Sequence, residues 1–228
     1  MTIMPDSGTG TGPITRDGSP VEFYLLMKAG DEPDVVAGVT PPGGSVLELG
    51  CGVGRVTHPL VERGFEVVAV DESAEMLAHV RGARTVRSGI QDLRLERRFD
   101  LVMLASHLVQ TAEEEGRRLL LDTCARHVAP DGRVLIQWTP PERHDDRRPG
   151  QGRTVDGLTI EVAAVEEVSP GLVHSTMRYT HGGKEWTQSF RSWRLTDERL
   201  AAELARAGLR LERFVTDDRT WVLAAPAE

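Results

Sequence analysis

The chain has 228 residues, of which 39% are hydrophobic and 27% charged, and a formal net charge of −8. No apolar run approaches the roughly 20 residues that cross a bilayer, and the basic residues are scattered, which argues against nucleic acid as the main partner. Lys28 and Lys184 are the only lysines among 27 basic residues, an arginine bias that points to a GC-rich bacterial genome.

Residues 1–20, "MTIMPDSGTGTGPITRDGSP", lack both a basic start and an apolar stretch. No secretory leader is expected there, and the segment reads as a mobile polar arm ahead of a single domain over 21–228. Cys51 and Cys124, the only cysteines, have no metal-type spacing, so a reduced, cytoplasmic setting is expected.

From Ser45 onward, apolar strand patterns alternate with helical ones. "SVLELG" precedes a helix through "RVTHPLVERG", stopped at Gly64. "FEVVAVD" precedes a helix capped by Ser73. "ARTVRSG", "FDLVMLAS" and "GRVLIQWT" follow as strands three to five. A capping box from Thr111 to Glu114 opens the helix between the last two. Continuous Val/Leu/Ile strands between helices predict an α/β, doubly wound, mostly parallel sheet.

The pattern changes after Thr139. "LTIEVAAVEEV", "LVHSTMRYTH" and "EWTQSFRSWRL" are joined at "SPG" and "HGG", which is hairpin chemistry. They predict an antiparallel three-stranded insertion spanning 140–195. "TDERLAAELARAG" is a helix capped by Thr196 and stopped by Gly208, and "LRLERFV" and "TWVLAAP" close the chain as a hairpin.

The turn Gly50-Cys51-Gly52-Val53-Gly54 follows a strand, is preceded by Glu48 and opens a helix. In the dinucleotide fingerprint the third glycine comes one residue later, where this chain has Arg55. A nicotinamide-dependent dehydrogenase is therefore disfavoured, and a compact, less anionic ligand fits better. Asp71 ends the second strand about 20 residues on, where a carboxylate holds two ribose hydroxyls.

Glu48 to Gly54, "VVAVDES", "SGIQDL" and "FDLVMLASHLV" fall in order on successive strands. Together they resemble the motifs of class I S-adenosylmethionine-dependent methyltransferases of the small-molecule subgroup. The resemblance covers roughly Ser45 to Thr139. It implies a seven-stranded, Rossmann-like sheet with an antiparallel last strand and a lid formed by the insertion. It also implies an enzyme that moves a methyl group from S-adenosylmethionine to O or N of a small organic acceptor, in specialised-metabolite biosynthesis.

Carried over by position, Gly50, Cys51, Gly52 and Gly54 would lie against the methionine portion of the cofactor. Glu48 would orient that loop or meet the amino group indirectly. Asp71 would bind the ribose, with Glu72 beside the adenine. Many members carry an aspartate where this chain has Gly89, so Ile90 with Gln91 or Asp92 would serve the adenine edge. Ala105 would complete the cofactor wall. His107 either accepts a proton from the acceptor or shapes the pocket. Tyr24, Trp138 and Tyr179 either face substrate, with His107, or pack. His144 and His181 are expected in solvated loops, and Cys51 is expected as a small filler. No metal is expected, and the oligomeric state stays open between monomer and homodimer. A non-catalytic cofactor-binding sensor or partner subunit is the alternative from another class; methylation of RNA or protein lacks a basic surface.

Overall fold

The computed structural model describes residues 6–227 and divides the chain into two compact units. Unit 1 comprises the N-terminal segment to Lys28 together with Pro141–Arg194, and unit 2 comprises Ala29–Pro140 together with the chain from Leu195. In chain order, unit 1 contributes β1 (Ser7–Thr9) and α1 (Val21–Leu26). Unit 2 follows with α2 (Glu32–Val39), β2 (Ser45–Leu49), α3 (Thr57–Glu62), β3 (Glu66–Asp71), α4 (Ala74–Leu77), β4 (Arg84–Arg87), β5 (Phe99–Leu104), α5 (Glu114–His127) and β6 (Val128–Gln137). Unit 1 resumes with α6 (Pro141–Asp145), β7 (Gly152–Val155), β8 (Leu158–Ser169), β9 (Leu172–His181) and β10 (Lys184–Trp193). Unit 2 ends with α7 (Asp197–Arg206), β11 (Leu209–Phe214) and β12 (Trp221–Pro226).

Unit 2 is the expected doubly wound sheet, with seven strands in the order β11-β12-β6-β5-β2-β3-β4. The strands from β4 to β6 are parallel, whereas β12 runs antiparallel to β6 and to β11. All five residues of β2 are buried, as a strand covered on both faces requires. On one face Val46, Val67, Leu101, Met103 and Leu135 meet Val35 and Val36 of α2 and Leu60 of α3. Their strand neighbours Leu47, Leu49, Val102 and Leu104, which alternation sends to the opposite face, are equally buried, and α5 contacts β5 and β6. Because β2 lies between β3 and β5, the strand order reverses there, and in open α/β sheets ligands bind beyond the C-terminal ends of the strands at such a point.

Local signals explain most boundaries. Ser73 Oγ accepts from Met76 N at 3.1 Å and Thr196 Oγ1 from Arg199 N at 3.2 Å, so both expected caps form. The Thr111–Glu114 capping box does not: α5 starts at Glu114 with Glu113 as its cap residue and no side-chain cap bond. Thr111 instead closes the preceding 3-10 turn, its N–H donating to Leu108 O, and its carbonyl accepts from Arg117 Nη1 at 3.0 Å. β6 also begins earlier than "GRVLIQWT", because Asp131-Gly132 forms a register shift inside the strand rather than a stop before it. A Cβ on Gly132 would lie 2.7 Å from Phe99 O, so only glycine lets the two strands approach there.

Unit 1 is an antiparallel sheet of five strands, β1-β10-β9-β8-β7, rather than three. The three expected strands are β8, β9 and β10. The connection at Gly182-Gly183 has positive φ at both residues, as a type I′ hairpin requires. The same geometry recurs at Asp156 (φ 51°) and Gly157 (φ 76°), joining β7 to β8. This Asp-Gly pair is a hairpin signal that the sequence carried and the three-strand expectation omitted. The other added strand comes from the supposed mobile arm. Its residues 1–5 lie outside the described residues, but Ser7–Thr9 pair with β10, and Trp186 Nε1 donates to Thr11 O at 2.9 Å. The described part of the arm is therefore anchored, and it groups with the insertion rather than preceding a single domain. No helix among the described residues is long and apolar enough to cross a membrane.

His127 is fully buried at the end of α5. Its Nδ1 lies 2.8 Å from Thr123 O and its Nε2 accepts from Leu95 N at 3.0 Å, which selects the neutral tautomer protonated on Nδ1. Burial lowers its pKa, with Arg126, Arg94 and Arg98 reinforcing the shift. A depressed histidine contributes stability that is present above its ordinary value and lost as pH falls through the folded value, because the unfolded chain takes the proton first. Urea midpoints should therefore decline from pH 7.5 to pH 5.5, and the decline should be shallower in His127→Gln.

Candidate active site

The glycine turn leaves β2 with left-handed backbone at three alternate positions: φ is 73° at Gly50, 55° at Gly52 and 86° at Gly54. Side chains are excluded there first by conformation. Space adds to this at two of them. A Cβ on Gly50 would sit 3.1 Å from Leu108 Cδ1 and 3.8 Å from Ile90 Cδ1, and one on Gly54 would sit 2.8 Å from His58 Nε2. At Gly52 the nearest atom is Met76 Sδ at 3.8 Å, so that position needs glycine for its backbone alone. The amides of Gly50 and Cys51 both donate to Val70 O, at 2.8 and 2.9 Å, and this ties the turn to β3.

Asp71 clasps the turn. Its Oδ2 accepts from Gly52 N at 2.9 Å and its Oδ1 from Ser73 N at 2.9 Å. Each carboxylate oxygen has a second lone pair, so this clasp is compatible with accepting hydroxyl donors as well. Glu72 is exposed beside it. The next loop enters a 3-10 turn at Ile90–Asp92, and Thr123 Oγ1 fixes it by donating to Ile90 O at 3.0 Å. Gln91 and Asp92 are exposed on that turn, while Ile90 is half-buried and reaches towards Gly50.

Beneath the turn lies a buried polar group. Glu48 is 3% exposed, and its Oε2 accepts from Thr57 Oγ1 at 2.6 Å. Of its two expected roles, orienting the loop is the one this contact serves. Burial pushes its pKa up to about 7; Thr57 and Arg55 oppose the rise, and Asp71 and Glu32 add to it. Arg55, which stands at the third-glycine position of the dinucleotide pattern, pairs with Glu32 Oε1 at 2.7 Å. Glu32 is itself buried and accepts from Gly30 N through Oε2 at 2.6 Å. The sequence reading singled out neither Thr57 nor Glu32. Thr57 sits nine residues from Glu48 in the next element, and Glu32 lies on α2, a helix the reading did not separate. Burial also pushes the Cys51 thiol well up, and Glu48 and Asp71 reinforce it, which fits an inert filler.

At the end of β5, Ala105 is buried and both Ser106 and His107 are left-handed, with φ of 56° and 58°. Two consecutive non-glycine residues in this region cost of order 1 kcal/mol or more each, and only firm anchors sustain that. Ser106 N donates to Gln137 Oε1 at 2.8 Å. The buried Gln110 amide brackets Thr139, donating from Nε2 to its carbonyl at 3.1 Å and accepting from its N–H at 2.6 Å. His107 is exposed, with Nδ1 3.3 Å from Thr139 Oγ1. The side-chain amides of Gln110 and Gln137 thus lash the loops after β5 and β6 together and hold the imidazole out of the core.

The other acceptor-side candidates are packed. Trp138 is fully buried in unit 2; its Nε1 donates to Arg219 O at 2.6 Å and its ring stacks 6.0 Å from Phe214. In unit 1, Tyr179 stacks on Phe23 at 3.7 Å, and both Tyr179 and Tyr24 direct their hydroxyls to Gln188 Oε1, at 3.1 and 3.3 Å. Tyr179 belongs to that unit's apolar core, and the half-buried Tyr24 packs against it. His144, expected in a solvated loop, is instead buried, and His181 is half-buried.

In unit 2 the residues therefore present a left-handed amide-bearing turn, a carboxylate beside it, a flanking 3-10 turn and an exposed imidazole. They lie on the loops that follow β2 to β5, at the sheet's switch point. Residues 46–132 match the family described as "Methyltransferase domain". That stretch is therefore similar to methyltransferase domains, in keeping with the resemblance to class I S-adenosylmethionine-dependent methyltransferases. Among curated proteins it is similar to the cypemycin N-terminal methyltransferase of a Streptomyces species, 31% identical over 156 residues and covering 63% of each chain. It is also similar to the dTDP-3-amino-3,6-dideoxy-alpha-D-glucopyranose N,N-dimethyltransferase of Streptomyces fradiae, 33% identical over 159 residues and covering 61% of each. The matched part of the chain spans about three-fifths of the length of these relatives. Among solved structures, the CcbJ methyltransferase from Streptomyces caelestis shares the fold, with a TM-score of 0.71 at 20% identity over 92% of both chains.

Glu48 generates a pH signature opposite to that of His127. With its folded pKa raised from the ordinary 4.5 to about 7, its stability contribution is full below 4.5 and lost as pH rises through 7. Glu48→Gln should therefore gain on the native chain by on the order of 3 kcal/mol between pH 4.5 and pH 8.5, read from paired urea melts.

Proposed function

We propose that the chain transfers a methyl group from S-adenosylmethionine to the nitrogen of a small organic amine. The observation that carries the methyl-donor part is the clasp between Asp71 and the left-handed Gly50–Gly54 turn at the switch point. The residues fit the cofactor. The Asp71 carboxylate would take the ribose hydroxyls, the turn would receive the amino-acid portion, and Ile90 with Gln91 or Asp92 would border the adenine. When bound, this cofactor supplies an electrophilic methyl on a sulfonium.

The work left to the protein is to position the attacking atom and exclude water. A neutral amine attacks through its lone pair and sheds its proton afterwards. The group needed is thus an acceptor for an ammonium proton, which an exposed neutral imidazole at His107 suits. The left-handed pair Ser106-His107, held by Gln137 and Gln110, supports a functional reading of this histidine, since strain of this kind is retained where a side chain must be aimed. Nitrogen is favoured over oxygen because the two curated relatives named above are, by name, an N-terminal and an N,N-dimethyl transferase. The scatter of basic residues supports a small acceptor.

Three measurements test this reading. Release of S-adenosylhomocysteine should be stimulated by primary or secondary amines in a mixed acceptor panel; stimulation confined to hydroxyl compounds rejects the nitrogen assignment. Asp71→Ala should weaken S-adenosylmethionine binding at least tenfold, about 1.4 kcal/mol, and unchanged affinity by calorimetry rejects the ribose role. His107→Ala should lower turnover while leaving cofactor affinity nearly intact. Equal turnover in the two proteins removes His107 from the chemistry.

A further inference from the structure

Unit 1 holds a guanidinium whose side-chain partners among the described residues are neutral hydroxyls. Arg147 follows α6 and folds back onto the antiparallel sheet, where Nη1 donates to Ser175 Oγ of β9 at 2.9 Å and reaches Ser192 Oγ of β10 at 3.4 Å. Its guanidinium carbon stands 6.0 Å from the centre of the Phe190 ring. Ser175 is fully buried and Ser192 nearly so. His144, 3% exposed, lies beside them with Nε2 3.2 Å from Ser192 Oγ. Asp145, two residues earlier, is committed to Arg194 Nε at 2.7 and 2.8 Å. Elsewhere the arginines that are anchored by side chains meet carboxylates, as in Arg97–Glu66, Arg133–Glu212 and Arg178–Glu161. Arg147 is anchored by neutral hydroxyls, and desolvation alone accounts for the lowering of its pKa, with no carboxylate opposing it.

Removing a cation from water without a counter-charge is costly, and neutral hydroxyls offset only part of that cost. The same anchoring fixes the planar fork of the side chain. A fork held in this way binds an oxyanion through two parallel N–H bonds without first losing rotamer freedom. We propose that this face of unit 1 binds an oxyanion, the carboxylate or phosphate of a small ligand, with Arg147 as the charge partner and Ser175 and Ser192 as the hydroxyls that hold it in place. This inference rests on unit 1 alone and is independent of the methyl-transfer reading.

The probes are inorganic pyrophosphate and succinate, titrated into the full chain by calorimetry at constant ionic strength, with chloride as the control. Saturable binding of either one is expected, and which of them binds identifies phosphate or carboxylate as the source. Arg147→Gln should weaken that binding at least tenfold, Arg147→Lys should fall between, and Ser192→Ala should weaken it severalfold. A merely structural arginine predicts a different pattern: Arg147→Gln would lower the melting temperature and leave anion affinity unchanged. The proposal expects a melting temperature at or above that of the native chain without anion, and a smaller upward shift when anion is added. Absence of saturable binding by both probes overturns it, as does full affinity in Arg147→Gln. If Arg147→Gln fails to fold, undiminished affinity in both Arg147→Lys and Ser192→Ala overturns it equally.

Discussion

Unit 2 depends on a left-handed turn that must be held open at the end of a buried strand. Three positive φ angles within five residues leave backbone amides without the partners that a helix or strand would supply, and such groups are costly unless satisfied. Val70 O takes two of them and the Asp71 carboxylate takes a third. Glu48 and Thr57, buried below, fix the passage from the turn into α3. The acid proposed to hold the ribose is thus also an acid that shapes the turn. A substitution at Asp71 acts on both, so its effect on binding includes any relaxation of Gly52.

A second constraint operates at the end of β5. The strained pair at Ser106-His107 sits over neutral amide side chains rather than ion pairs. Gln110 behaves towards Thr139 as another strand would, offering one donor and one acceptor. Beneath the glycine turn the opposite choice is made. Glu48, Arg55, Glu32 and Asp71 form a mixed-sign group in which desolvation raises the Glu48 pKa despite a neighbouring arginine.

Unit 1 achieves its own order by different means. Hairpins with left-handed residues at 156–157 and 182–183 set the register, and the stacked pair Phe23–Tyr179, with Trp186 and Leu158, fills one face. Gln188 receives both tyrosine hydroxyls and returns a donor to Ser19 at 2.9 Å. This draws the N-terminal segment into the sheet. Arg147 and His144 stand out in that setting because their partners are neutral hydroxyls.

By itself the sequence determined the sheet of unit 2, its helices other than α2, and the glycine turn. Each of these follows from short-range periodicity, caps such as Ser73 and Thr196, or glycines whose conformation is local. It also placed Asp71 at the end of a strand, where β3 ends, since the end of one strand and the start of the next turn are separated by a predictable spacing. Only the tertiary structure decided which polar groups meet. Glu32 reaches Arg55, and Gln110 and Gln137 reach the loop across β5 and β6, through contacts between segments far apart in the chain. Composition likewise read residues 1–20 as an arm and placed His144 in solvent; pairing of Ser7–Thr9 with β10 and burial of His144 against Ser192 corrected these readings for the described residues. Hydrogen bonds and burial of this kind depend on which distant strand offers its free edge or its small side chain, and no local pattern encodes that.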